Sequence, residues 1–172
     1  ALALLSYVDF SPVVDMESEV QSLKDVFIKM KEVNPVFDFS NKYNYLFELM
    51  HDQPRNEKIG VRYYFQENDK SITQQFGAVT FLLEDGRIVI SFRGTDHSLI
   101  GWKENFLMLY QDSIPSEEKA IEYLNQIQVS YPLKEMLKDR NYGRNIIERF
   151  NRYKAYKNDL PIIFTGHSKG GN

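Results

Sequence analysis

The chain has 172 residues, of which 42% are hydrophobic and 26% are charged, with a formal net charge of -3 and no cysteine. This composition is typical of one soluble globular domain, and it excludes a disulfide scaffold, a cysteine-ligated zinc site and a thiol nucleophile. The weak negative charge argues against a nucleic-acid partner, and no apolar run approaches the roughly 18 residues needed for a transmembrane segment.

The first half of the chain predicts two helices followed by strands. Apolar residues recur at helical spacing over 17–30, with Asp15 or Ser18 available as the cap, and a shorter helical stretch covers 44–50. Alternation over 61–66 then predicts a strand with one face more buried than the other. Two further strands, over 78–83 and 87–92, flank the dipeptide Asp85-Gly86, which is a strong hairpin signal.

The second half predicts helices and then a buried strand. Ser116, followed by two glutamates, starts one helix, and further helices are predicted from Leu133 and after Gly143. The short apolar run 160–165 predicts a strand that is buried on both faces of a mixed sheet. Strands, then helices, then a buried strand indicate a single domain of the α/β class over 1–172.

Directly after that strand comes the segment Gly166–Gly170, which reads G-H-S-K-G and fits the G-x-S-x-G nucleophile elbow. In an elbow the chain turns sharply from strand to helix and holds Ser168 in a strained conformation with its Oγ exposed. Side chains at 166 and 170 would collide in such a turn, and glycine removes the collision. The alternatives are a Gly-rich turn or a phosphate-binding loop, but the spacing G-x-x-x-x-G-K-[ST] is not present.

A second motif, Phe92-Arg93-Gly94-Thr95, ends a predicted strand upstream of the elbow, where a hydrolase needs a loop that donates to the oxyanion. Together with Trp102 and the run G-H-S-K-G-G-N at 166–172, it resembles the pattern of class 3 lipases. It is most similar to an uncharacterised bacterial subgroup of lipase-like α/β-hydrolases. The resemblance covers most of the chain and implies the α/β-hydrolase fold.

The resemblance also implies roles for two backbone groups. Thr95 would supply one half of the oxyanion hole, and the N–H of Lys169 the other. Thr95 could instead be a loop residue that caps the next helix, and Arg93 would pin the loop by hydrogen bonds in either case. Leucine is common in class 3 lipases where Lys169 stands, and its ammonium could favour an anionic substrate or simply reach solvent or a carboxylate.

The base and the orienting acid of a catalytic triad follow the serine in α/β-hydrolases. We therefore expect an Asp and a His beyond Asn172, in a longer protein of which this chain is the front part. Of the three histidines, His167 is expected to pack or hydrogen-bond within the elbow, and His97 would contradict the family order as a base. His51 lies in a polar turn and is expected at the surface.

The sequence thus predicts a cytoplasmic serine hydrolase with Ser168 as nucleophile and Thr95 and Lys169 as oxyanion donors, cleaving a small-molecule or lipid ester through an acyl-serine intermediate. No cofactor is expected, and no motif supports a metal. Two alternatives stay open. One is a binding protein that keeps the elbow only as architecture, and the other is an acyltransferase or thioesterase that uses the same serine.

Overall fold

The computed structural model describes residues 1–34, 38, 40–69, 71, 74–94, 114–129 and 162–171. These residues form helices, strands and one 3₁₀ turn. The helices are α1 (Leu2–Leu5), α2 (Leu23–Val33), α3 (Lys42–His51) and α4 (Pro115–Val129). The strands are β1 (Gln21–Ser22), β2 (Gly60–Asp69), β3 (Gln74–Leu82), β4 (Ile88–Phe92) and β5 (Ile162–Gly166), and the 3₁₀ turn is Ser168–Gly171.

The five strands form one mixed sheet in the order β1-β2-β3-β4-β5. The first three pairs are antiparallel, whereas β4 and β5 run parallel, with Ile88 opposite Ile162 and Phe92 opposite Gly166. A parallel pair places the carboxyl ends of both strands at the same edge of the sheet. The end of β4 and the segment after β5 therefore lie side by side, although they are more than 70 positions apart in the chain.

Helices cover both faces of this sheet, which gives the α/β arrangement that the sequence predicts. One core cluster joins α1, α2 and α3 to residues such as Val79 and Phe81 of β3. The other joins Tyr123 and Ile127 of α4 to the opposite face of the same strands. Every residue of β3 is buried, as expected of a strand with a neighbour on each side and a layer on each face.

The predicted hairpin is confirmed. Strands β3 and β4 pair in register from Ala78 opposite Phe92 to Leu82 opposite Ile88. Gly86 in the connecting turn has a φ of 86°, a left-handed value that glycine adopts without steric cost. The helices predicted over 44–50 and from Ser116 are confirmed as α3 and α4, whereas those predicted from Leu133 and after Gly143 lie outside the described residues.

Helix α2 begins later than the predicted start at 17. Its cap is Ser22, whose hydroxyl oxygen accepts a hydrogen bond of 3.0 Å from the Asp25 N–H. Asp15 and Ser18 bond to each other instead, in the loop before β1. The reason is tertiary, since residues 21 and 22 pair with β2 as a short strand and so leave the helical conformation.

The alternation predicted in β2 is interrupted by a β-bulge. The register with β3 shifts between Arg62 and Phe65, and both Tyr63 and Tyr64 are buried. Tyr63 has a φ of 52°, which is uncommon for a bulky residue. Its carbonyl oxygen accepts a 2.5 Å hydrogen bond from the buried Tyr123 hydroxyl of α4, which holds this conformation.

The expectation that β5 is buried on both faces is wrong, because none of its five residues is buried. Ile163 packs against the cluster below α2 and α3, and Ile162 against the cluster below α4, so both faces are apolar as predicted. However, Phe164 is 57% exposed, and the other residues of β5 are half-buried. Within the part of the sheet that the structure describes, β5 is the last strand and has β4 as its neighbour.

A bilayer-spanning helix, long and apolar enough to cross a membrane, does not occur in the described ranges.

Candidate functional site

The candidate site lies at the edge of the sheet where β4 and β5 end together. We call residues 166–170 the elbow and residues 92–94 the Gly94 turn. Phe92 is opposite Gly166 in the parallel register, so the two segments leave the sheet next to each other. Connections at the carboxyl ends of parallel strands are where α/β proteins commonly bind ligands.

Ser168 has the backbone conformation expected of an elbow serine. Its φ is 59°, in the left-handed region, and it begins the 3₁₀ turn two residues after β5 ends. The turn is closed by a 3.3 Å hydrogen bond from the Gly170 N–H to the His167 carbonyl oxygen. A left-handed conformation costs a non-glycine residue about 1–2 kcal/mol. The side chain that this strained backbone carries is exposed.

The two glycines of the motif are required by close backbone contacts. A Cβ added at Gly166 would overlap the carbonyl group of Gly170, and one added at Gly170 would overlap the Phe92 carbonyl oxygen. By contrast, a Cβ at the neighbouring Gly171 would lie 3.6 Å from its nearest atom, in ordinary van der Waals contact. The collisions expected at 166 and 170 are therefore present, and one of them is with the strand β4 itself.

The Gly94 turn packs directly on the elbow. A Cβ added at Gly94 would overlap the His167 carbonyl oxygen and lie 2.7 Å from the Tyr7 hydroxyl oxygen. The chain that leads into Thr95 thus touches the residue before Ser168. Thr95 itself lies outside the described residues, while the backbone of Lys169 forms the second residue of the 3₁₀ turn.

Arg93 is held by polar side chains of β2. Its guanidinium donates to Gln66 Oε1 at 2.8 Å and to Asn68 Oδ1 at 3.3 Å, and its backbone N–H donates to the Gly77 carbonyl at 2.7 Å. A Cβ at Gly77 would lie only 3.1 Å from Arg93 Nε, so the guanidinium stem lies across that glycine. Arg93 pins the Gly94 turn to the sheet, as the sequence predicts.

Two of the three histidines, His51 and His167, lie within the described residues. His167 hydrogen-bonds within the site as expected, with Nδ1 at 3.1 Å from the Tyr7 hydroxyl oxygen. His51 was expected at the surface, but it ends α3 half-buried, with its ring stacked on Phe27 at 3.8 Å. The stacking follows from the packing of α3 on α2, which the sequence around His51 does not reveal. His97 lies outside the described residues.

Tyr7 is the site residue that the sequence did not reveal. It follows α1, stacks on Tyr43 of α3 with ring centroids 4.3 Å apart, and meets His167 edge-on at 5.7 Å. The two residues are 160 positions apart, and no motif connects them. Only the folding of α1 onto the sheet brings them together.

A separate groove of about 430 Å³ lies between β2 and the loop after α1. It is lined by acidic residues and by Tyr64, and no residue of the elbow lines it. Burial, and then the negative charge of Asp9, raise the pKa of Tyr64, while hydrogen bonds from Ser18 and the backbone lower the pKa of Asp15. Across the described ranges, no three His, Asp or Glu side chains come together to hold a metal ion.

Comparison with protein families identifies a family for this chain. The model of the Mbeg1-like family matches residues 50–172, more than half of the chain, and the chain therefore belongs to this family. Searches of curated proteins and of solved structures found no match.

The family assignment corrects the resemblance to class 3 lipases and lipase-like α/β-hydrolases, because the matching model is that of another family. The resemblance rested on two short motifs, and the contacts at Gly94, Gly166 and Gly170 explain why they are a poor guide to a family. The glycines of these motifs are required because two tight turns meet with no room for a Cβ. The same steric requirement arises wherever a strand turns sharply beside another. The match covers both motifs but begins well after Tyr7.

Proposed function

We propose that this member of the Mbeg1-like family is a serine hydrolase that cleaves carboxylic esters through an acyl-serine intermediate, with Ser168 as its nucleophile. The observation that carries the proposal is the backbone of Ser168, which has a φ of 59° at the start of a turn that directly follows a parallel strand. Strain of this kind persists where the surrounding structure imposes it, and it is concentrated at functional sites.

A turn that served only to reverse the chain would not need serine at this position. Glycine or asparagine would adopt the left-handed conformation at lower cost. A serine nucleophile does benefit, because the sharp turn projects Oγ away from the backbone and leaves it accessible to a substrate carbonyl. The exposure of Ser168 agrees with that requirement.

The oxyanion would be bound by the backbone N–H of Lys169 and by Thr95, one residue after the Gly94 turn. Support for this assignment comes from the contact between Gly94 and the His167 carbonyl, which brings the two chain segments together. Donors of this kind stabilise negative charge that develops only in the tetrahedral intermediate, and the loss of one typically raises the barrier by about 2.7–4 kcal/mol.

In the proposed reaction a general base takes the Ser168 hydroxyl proton while Oγ attacks the ester carbonyl carbon. The carbon–oxygen bond of the ester then breaks, the base returns the proton to the leaving alkoxide, and water hydrolyses the acyl-serine in the same way. In the described part of the chain, Ser168 Oγ has no hydrogen-bonded base, and His167 bonds to Tyr7 instead. We expect a His and an Asp to act as the base and its orienting acid.

The proposal includes the specific fold, which is that of the α/β-hydrolases. A parallel β4–β5 pair, an elbow after β5 and helices on both faces of the sheet support an α/β-hydrolase fold, as distinct from membership of a hydrolase family. The proposed substrate is an ester of a small molecule or lipid, and the proposed cytoplasmic location is compatible with the absence of cysteine.

A fluorophosphonate probe tests the proposal, because it reacts covalently with activated serines. We expect the full-length protein to be labelled at one site, with the adduct mapped by mass spectrometry to the peptide that contains Ser168. Ser168→Ala should abolish labelling, whereas Ser11→Ala, which removes another exposed hydroxyl, should leave it unchanged. No labelling of the folded wild-type protein would falsify the enzyme proposal and favour a binding protein that keeps the elbow as architecture.

A further inference from the structure

The two segments of the candidate site share a contact with a third segment, at the N-terminal end of the chain. The Tyr7 hydroxyl oxygen lies 3.1 Å from His167 Nδ1 and 2.7 Å from the position that a Cβ on Gly94 would take. One phenol therefore touches both the elbow and the Gly94 turn. In the proposed enzyme these are the segments that carry the nucleophile and lead into the oxyanion loop.

Tyr7 is itself held firmly on the fold. Its neighbours Leu5 and Val8 are fully buried in the core, and its N–H bonds to the Leu4 carbonyl at 3.2 Å. Its ring lies flat on that of Tyr43 in α3, at 4.3 Å and an interplanar angle of 9°. A phenol fixed in this way can orient another group with little further loss of side-chain entropy.

The group that it orients precedes the strained residue. His167 is exposed and leads directly into Ser168, whose φ of 59° can be maintained only while its surroundings resist relaxation. A hydrogen bond to the imidazole restrains the residue before the nucleophile, and the contact at Gly94 restrains the opposite segment. Small displacements of a nucleophile matter greatly, because about 1 Å of misplacement can slow a reaction by about a hundredfold.

We infer that Tyr7 is a positioning residue of the site: its hydroxyl, through His167, holds the elbow against the Gly94 turn in the geometry that Ser168 needs to react. The inference rests on the proposed function, and it assigns a role to a residue that lies before the region matched by the family model. Tyr7 does not act on the substrate, and it acts through His167.

The test measures the rate of fluorophosphonate labelling at Ser168 in the full-length protein as a function of probe concentration. Tyr7→Phe removes the hydroxyl and keeps the ring that stacks on Tyr43. We expect the maximal labelling rate to fall about five- to tenfold, as for the loss of one hydrogen bond, with the probe concentration at half-maximal rate unchanged. Tyr45→Phe, which alters an exposed tyrosine of α3, is the matched control and should label like the wild type.

A double-mutant cycle distinguishes positioning through His167 from a general structural role. His167→Gln should slow labelling about as much as Tyr7→Phe, and the double variant should be no slower than the slower single variant. Equal labelling rates for wild type and Tyr7→Phe, or multiplicative effects in the double variant, would overturn the inference while leaving Ser168 as the nucleophile. A wild-type protein that is not labelled would overturn the proposed function together with the inference.

Discussion

The elbow depends on the absence of side chains at its two glycines, whereas the β2–β3–β4 meander depends on the presence of large buried side chains. In the elbow, backbone groups approach so closely that Gly166 and Gly170 have no room for a Cβ. In the meander, large side chains such as Phe81 fill the space between sheet and helices and are fully buried. The comparison implies that the elbow is sensitive to added atoms and the meander to removed ones. It also separates the two properties, since the elbow holds the proposed chemistry and the meander contributes buried side chains to both core clusters.

The largest expected change in stability comes from removing a ring in the meander. Phe81→Ala should lower the free energy of unfolding by about 3–5 kcal/mol, because it combines lost apolar burial with a cavity. Denaturant unfolding measures this change. The labelling rate of Ser168 in the remaining folded protein should stay near that of the wild type. A loss of labelling in the folded fraction would show that the two regions are not separable.

Adding one carbon to the elbow should have a smaller effect on stability and a larger one on reactivity. Gly166→Ala places a Cβ on the Gly170 carbonyl, and we expect a destabilisation of up to about 3 kcal/mol with at least a hundredfold slower labelling of Ser168. Gly171→Ala is the matched control, since its Cβ would make only an ordinary contact at 3.6 Å. Equal labelling rates for the two variants would contradict the steric account of the motif.

The smallest expected effect concerns the hydroxyl that holds the bulge in β2. In Tyr123→Phe, the Tyr63 carbonyl and the Thr80 hydroxyl lose a buried partner, which should cost about 1–2 kcal/mol of stability at neutral pH. Urea unfolding of the two proteins would measure the difference, and labelling of Ser168 should not change. An unchanged stability would mean that Tyr123 does not hold the bulge.

The same pair of proteins predicts a pH dependence. Burial raises the pKa of Tyr123 above its ordinary value, so the folded protein keeps this proton at a pH where the unfolded chain loses it. The contribution of Tyr123 to stability is therefore complete below about pH 10 and declines above it, by up to about 1.4 kcal/mol per pH unit. The stability difference between wild type and Tyr123→Phe should accordingly shrink in alkali. A difference that grew with pH would contradict the raised pKa.

Local patterns predicted those parts of the fold that depend on neighbouring residues. The hairpin at Asp85-Gly86 follows from turn chemistry, and α3 and α4 follow from apolar residues at helical spacing. The start of α2 was predicted too early because Ser22 pairs with β2, more than 30 positions away. The bulge at Tyr63 likewise depends on a hydroxyl 60 positions away. The residues around the start of α2 do not reveal its pairing with β2, and those around Tyr63 do not reveal the distant hydroxyl.

The candidate site shows the same division. The strained backbone of Ser168 and the close contacts at the two glycines of its motif could be predicted, because a sharp strand-to-helix turn has the same steric requirements in any protein. The roles of Thr95 and Lys169 as oxyanion donors, and of a His as the base, stay predictions. The family could not be predicted from motifs of this length, since steric demands do not distinguish between families.

By itself, the sequence determined that an apolar strand leads into a turn with glycine two residues on each side of Ser168, because those preferences act within a few residues. Only the tertiary structure decided what the glycines face and what braces the elbow. The parallel pairing of β4 and β5 brings the Phe92 carbonyl against Gly170, and the packing of α1 brings Tyr7 to His167. Contacts between such distant segments arise when the whole sheet and its helices bury their apolar faces together, so local sequence patterns do not reveal them.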